Sequence, residues 1–134
     1  MKRRNGFTLI ELLAVIVILA IIAVIATPII VGIIEDARES AAADSAYGAL
    51  DAVEKYYTQT LLGTSPATLP ITVNFGDAAE GQIAGSAVTM SGTKPTAGTV
   101  TLAADGSFTV TNLVVNGYSC TYENQKFSCP NKAS

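Results

Sequence analysis

The sequence predicts an α+β fold: one long N-terminal helix, its C-terminal half packed on a small antiparallel sheet of about four strands. Three observations predict it. Residues 12–34 are 23 consecutive positions without a charge, broken in apolar character only by Thr27, Pro28 and Gly32. Residues 35–62 then repeat apolar side chains at helical spacing, with no proline before Pro66. After residue 62 the composition turns to Thr, Val, Gly, Ala and Ser in short alternating runs, the signature of strands and turns. A chain of 134 residues has room for one globular domain.

The first element is the apolar arm. As a helix, residues 12–34 would extend about 34 Å at 1.5 Å per residue, enough to cross a hydrocarbon core of about 30 Å. Lys2, Arg3 and Arg4 precede it. Basic residues stay on the cytoplasmic side, so the chain after residue 34 faces outward. Three readings compete: a secretory signal peptide cut after Ala26, a plain transmembrane anchor, and a short leader removed ahead of a retained helix. Glu11 separates them. It stands between Ile10 and Leu12, inside the apolar run. A carboxylate in a membrane helix costs roughly 2.5–3.5 kcal/mol on insertion scales, so it needs a function and a partner. Neither a signal peptide nor an anchor supplies one.

The residues Lys2-Arg3-Arg4-Asn5-Gly6-Phe7-Thr8-Leu9-Ile10-Glu11-Leu12-Leu13 closely resemble the class III leader of type IV pilins and pseudopilins. The resemblance implies the type IV pilin fold. It implies cleavage between Gly6 and Phe7 by a prepilin peptidase, and N-methylation of the new terminus at Phe7 by the same enzyme. It implies that Glu11 pairs with an N-terminal ammonium during assembly. Pro28 matches the family position, where the helix, with Gly32 one turn on, kinks or melts on leaving the membrane. The physical chemistry is compatible with these roles. An N-terminal ammonium is largely protonated at neutral pH, and Glu11 lies about one turn from Phe7. A neighbour's ammonium would neutralise a carboxylate that is costly alone in apolar surroundings. Proline inside a helix removes one backbone hydrogen bond and crowds the preceding turn. The expected organisation is a leader at 1–6, a membrane and filament-core helix at 7–34, an amphipathic half at 35–62 and a β-rich head at 63–134.

Residues 35–62 continue the helix. Ala42, Ala46, Leu50, Val53, Tyr57 and Leu61 trace one face by steps of three and four. Asp44, Asp51 and Lys55 project oppositely. Glu35, Asp36, Arg38 and Glu39 read as a solvated turn at the membrane surface, or as a bridge between subunits. Tyr47, Tyr56 and Tyr57 read as packing residues. Gly63 is the expected C-cap.

In the head, Leu69, Ile71, Val73 and Phe75 alternate, as do Val100 with Leu102 and Phe108 with Val110. Ala104-Asp105-Gly106 suits a hairpin turn between the last two pairs. A weaker strand is expected around residues 84–90, and an exposed loop over 77–81. Near the end, residues 118–122 and 127–129 flank Glu123-Asn124-Gln125-Lys126. Pairing Tyr122 with Phe127 sets Cys120 opposite Cys129, at a cross-strand distance of roughly 4.5–5.5 Å that a disulfide spans. A reduced pair is the alternative, and a redox role is weaker because the spacing is not Cys-x-x-Cys. A disulfide in this part of the head is also common in the resembled family.

Composition narrows the function. Histidine is absent, so no histidine base is there to activate a serine or threonine. No catalytic residues, metal ligands or cofactor are expected, and no enzyme activity. Two cysteines without histidine do not complete a zinc site. Asp77, Glu80 and Asp105 lack calcium-ligand spacing. Without residues 1–6 the charge is five basic against eleven acidic, which disfavours direct nucleic-acid binding. The function implied by the resemblance is a structural pilus subunit, a major pilin, that forms a homopolymer with other pilin subunits. Its implied partners are the prepilin peptidase, the assembly machinery of the cytoplasmic membrane, and the membrane before assembly. The short leader and residues 37–48 also resemble pilins of Gram-positive bacteria. The alternatives are a pseudopilin of a type II secretion or DNA-uptake system, and an anchored adhesin that never polymerises.

Overall fold

The computed structural model describes residues 5–132. Lys2, Arg3 and Arg4 lie outside the described residues. A single helix, α1, runs Leu9–Leu61. Six strands follow: β1 Ile71–Asn74, β2 Ile83–Ala84, β3 Ala97–Leu102, β4 Phe108–Val115, β5 Tyr118–Glu123 and β6 Lys126–Lys132. The chain divides into two compact units, one ending at Asp36 and one beginning at Ala37.

The first unit has no core of its own. From Phe7 to Ile34 its large apolar side chains are exposed, Phe7 at 88% and most of the others above half. It belongs to the one described helix long and apolar enough to cross a membrane. Water does not tolerate an apolar surface of this extent, so lipid or protein must cover it.

The second unit packs the helix from Ala37 onward against one sheet. Ala42, Ala46, Ala49, Leu50, Ala52 and Val53 are its buried helix residues. Four of these six are alanines, which let backbone approach sheet closely. The buried stripe differs from the expected one at its end. Tyr57 is only partly buried and Leu61 is 49% exposed. At about 100° per residue, Leu61 has drifted roughly 90° from the centre of the stripe, while Ala49 falls close to it. Gly63 also departs from expectation, since it does not take the left-handed conformation of a C-cap. Leu62 N–H and Gly63 N–H instead donate to the Gln59 and Thr60 carbonyls at 3.2 and 3.1 Å, tightening the last turn into 3-10 geometry.

The sheet order is β2-β1-β3-β4-β5-β6, antiparallel except for the short parallel β1/β2 pair. Six strands replace the expected four. The largest part of the difference is the β4/β5 hairpin, which turns on Asn116-Gly117 with φ of 53° and 81°. Asn-Gly between alternating Leu113, Val115 and Tyr118, Cys120 is a strong hairpin signal. The weak strand expected over 84–90 is only the two residues of β2, followed by a 3-10 turn at Gly85–Ala87.

A bulge resets the alternation along β4. Phe108 and Val110 are partly buried, yet Leu113 and Val115 are the fully buried pair. The register shifts between Ala97 and Thr99, so that Asn112 and Leu113 oppose Gly98 alone. Asn112 takes φ of 49° and Gly98 φ of 103°. One extra residue on β4 turns the following side chains to the core face. The hairpin between β3 and β4 closes as expected, with Gly106 N–H donating to the Ala103 carbonyl at 3.0 Å. Asp105 Oδ1 accepts from the Ser107 hydroxyl at 2.6 Å and from its N–H at 3.0 Å. Those bonds, the hydroxyl's first, hold the Asp105 carboxyl below its ordinary pKa.

β5 and β6 pair Tyr122 with Phe127 and Thr121 with Ser128, and the Cys120–Cys129 disulfide joins the strands at a Cα separation of 4.1 Å. The register then slips by one, so that Ser119 faces Asn131 and Pro130 is the extra residue. β6 is an edge strand, where a proline at a bulge breaks no interior ladder. Both sulfurs belong to buried residues of the core. Replacing both cysteines with serine is expected to lower head stability by about 2–3 kcal/mol on loop-closure grounds. Urea denaturation of oxidised and double-variant protein measures it, and equal midpoints would contradict it.

Candidate functional site

The site is built where the extended N-terminal segment meets the helix. Residues 5–8 have no regular structure and are exposed, and α1 begins at Leu9. Gly6 has open space around it. The Gly6–Phe7 peptide bond therefore lies in an extended, accessible strand of chain immediately before a helix, the form in which a peptidase can bind it.

Thr8 and Glu11 fix the helix start. Glu11 N–H donates to Thr8 Oγ1 at 3.2 Å, and Thr8 N–H donates to Glu11 Oε2 at 3.1 Å. Thr8 also accepts the first helical bond, from Leu12 N–H at 3.1 Å. This reciprocal pair is a capping box, Thr at the N-cap and Glu three residues on. It satisfies two backbone donors that a helix end leaves without partners. It also sets a carboxylate in the first turn, where the helix dipole favours negative charge. Thr8-x-x-Glu11 before an apolar run is a recognisable capping signal, and reading Glu11 only as a buried charge overlooks it.

The capping box decides where the Glu11 carboxylate points. It bonds the Thr8 nitrogen, which is one residue from the nitrogen of Phe7. Cleavage after Gly6 would convert that nearby amide into an ammonium. The carboxylate thus stands beside the place where a positive charge would appear.

Pro28 and Gly32 lie within α1, which is assigned as helix through both. Thr27 Oγ1 donates to the Ala23 carbonyl at 2.6 Å, one residue before the Val24 carbonyl that Pro28 cannot bond. A side chain at Gly32 would meet nothing within 4 Å. No close contact within the chain requires a glycine there.

Tyr47 is a further connection that spacing alone does not reveal. Its hydroxyl accepts the Phe127 N–H at 2.9 Å, and its ring meets Phe127 edge-on at 5.0 Å. The bond ties α1 to β6 across 80 residues of sequence. Among the described residues, no group of three or more His, Cys, Asp or Glu is arranged to hold a metal.

Residues 1–27 match the family model of the prokaryotic N-terminal methylation motif, the class III signal peptide of type IV pilins. The match ends before Pro28 and leaves the head outside it. The chain matches no curated protein and no solved structure. The motif and the long apolar helix support a type IV pilin-like or pseudopilin protein, and the helix followed by a mostly antiparallel sheet is consistent with the pilin fold. The motif implies, in general terms, processing by a peptidase and assembly with pilin subunits. It also fits a membrane-anchored precursor.

Proposed function

We propose that this chain is a structural subunit, the major pilin, of a type IV pilus. It is inserted in the cytoplasmic membrane with its N-terminus inside, and the prepilin peptidase cuts it between Gly6 and Phe7 and methylates Phe7. The mature chain then leaves the membrane for an extracellular homopolymer built around residues 7–34. The observation that carries this reading is the exposed Gly6–Phe7 bond one residue ahead of the Thr8–Glu11 capping box. Cleavage there leaves an ammonium beside a carboxylate at the tip of an apolar helix. In the membrane the two can neutralise each other within one chain. Between packed helices, Glu11 can instead take a neighbour's ammonium and set the axial register of one subunit on the next.

The exposed apolar side chains support the same sequence of states. Lipid covers them in the precursor, and copies of the same helix cover them in the filament. The role is mechanical, and no catalysis is assigned to the chain. Shearing cells and identifying the protein of the released fibres tests the major-subunit reading. This chain is expected to dominate the fibre mass. Its presence only in the membrane fraction, or as a trace in fibres of another protein, would favour a pseudopilin or a minor subunit.

A further inference from the structure

We propose that the end of the head bounded by Tyr47, Phe108 and Tyr122 binds a neutral saccharide. The three rings border an open depression of ≈ 620 Å³, completed by the β3/β4 turn at Ser107 and the β5/β6 turn at Asn124 and Gln125. Small-molecule sites commonly fall between about 300 and 1,000 Å³. The proposal goes beyond the polymeric role and requires only the fold of the head.

The chemistry of the lining selects the ligand class. No Asp, Glu, Lys or Arg lines the depression. The nearest carboxylate, Asp105, is engaged by Ser107 and would repel an anion. A phosphate, a sialylated glycan or a nucleic acid finds no counter-charge. The side chains offered are aromatic rings, a hydroxyl and two carboxamides. Carboxamides and hydroxyls both donate and accept, as do the vicinal hydroxyls of a sugar. Aromatic rings present apolar faces to the C–H face of a pyranose, with a polar tip on each tyrosine.

The walls are held in place before any ligand arrives. Tyr47 is fixed by its hydrogen bond to Phe127 N–H, and Tyr122 packs on the same ring at a centroid distance of 4.7 Å. Phe127 itself is buried. Rings fixed in this way lose little freedom on binding.

The β5/β6 turn adds an independent observation. Asn124 and Gln125 both take positive φ, 51° and 63°. A two-residue turn of this kind favours Asn-Gly, as the neighbouring β4/β5 turn shows with Asn116-Gly117. Glutamine in the second position strains the backbone and gives the turn nothing in return. Its side chain lines the depression, where a carboxamide is useful to a polar ligand.

The test uses the full chain in detergent micelles on a microarray of neutral oligosaccharides and their sialylated counterparts. The wild type is expected to retain at least one neutral oligosaccharide more strongly than its sialylated form. Tyr122→Ala is expected to lose that retention, but this ring also packs on Phe127. Gln125→Gly therefore carries the test, because glycine suits the turn and leaves the head at least as stable. It is expected to weaken retention by about tenfold, the size of one good hydrogen bond, with an unchanged or raised thermal midpoint. Failure of the wild type to retain any neutral oligosaccharide, preference for sialylated forms, or equal retention by Gln125→Gly would each overturn the proposal.

Discussion

Replacing Glu11 with valine is expected to reduce sheared filaments at least tenfold while leaving the protein in the membrane. The loss has two components of different size. The capping bond to Thr8 N–H disappears, which costs about 1 kcal/mol at a helix end. A helix of 53 residues with an apolar first half survives that. The larger component is the charge pair. Without the carboxylate, the Phe7 ammonium of a packed subunit has no counter-charge, and an uncompensated charge in apolar surroundings costs several kcal/mol. A factor of ten in assembly needs only about 1.4 kcal/mol. Insertion of the precursor moves the other way, since valine is more favourable than glutamate in lipid. Glu11→Gln separates the two components, because glutamine keeps the capping bond and drops the charge. It is expected to fail nearly as severely as valine. Wild-type filament yield from Glu11→Gln would show that the cap suffices and the ion pair does not operate.

Gly98→Val is expected to unfold the head or lower its stability by at least about 3 kcal/mol. Gly98 has φ of +103°, which a β-branched residue strongly resists. A Cβ there would stand 2.5 Å from both the Asn112 carbonyl oxygen and Leu113 Cα, and these are backbone atoms that cannot swing aside. The bulge that turns Leu113 and Val115 into the core passes against this glycine. Losing it threatens the centre of the sheet, where domains have only about 5–15 kcal/mol to spare. Gly81→Ala is the comparison. Gly81 also has positive φ, but nothing lies within 4 Å of its added Cβ. Its cost is expected near 1 kcal/mol, from backbone strain alone. Urea denaturation of the full chain in detergent measures both, and equal losses would show that the close approach at Gly98 is not the deciding term.

Legibility in the sequence followed the range of the interactions. The apolar arm, the helical face from Ala42 to Val53 and the Tyr122–Phe127 register that joins Cys120 to Cys129 rest on local spacing, and they were readable. The hairpin at Asn116-Gly117 was equally local but was passed over, which accounts for most of the shortfall in strand number. The Gly98 bulge was not readable, because it depends on two strands meeting at one point. Leu61 misled because steps of four residues drift around a helix while still looking periodic. At the N-terminus, Glu11 stood out as a charge among apolar residues. Its bond to Thr8 required recognising that the helix begins two residues after Phe7. The Tyr47–Phe127 hydrogen bond joins residues 80 apart, and no pattern in the sequence links them.

The central claim is that the chain is cut before Phe7 and keeps its apolar helix as the means of assembly. Intact-mass and N-terminal peptide analysis of the surface protein tests it most directly. An N-methylated Phe7 as the first residue, followed by Thr8 and the whole of α1, is the result predicted. A first residue of Thr27, left by an ordinary signal peptidase acting after Ala26, would remove Glu11 with most of the apolar arm and contradict it.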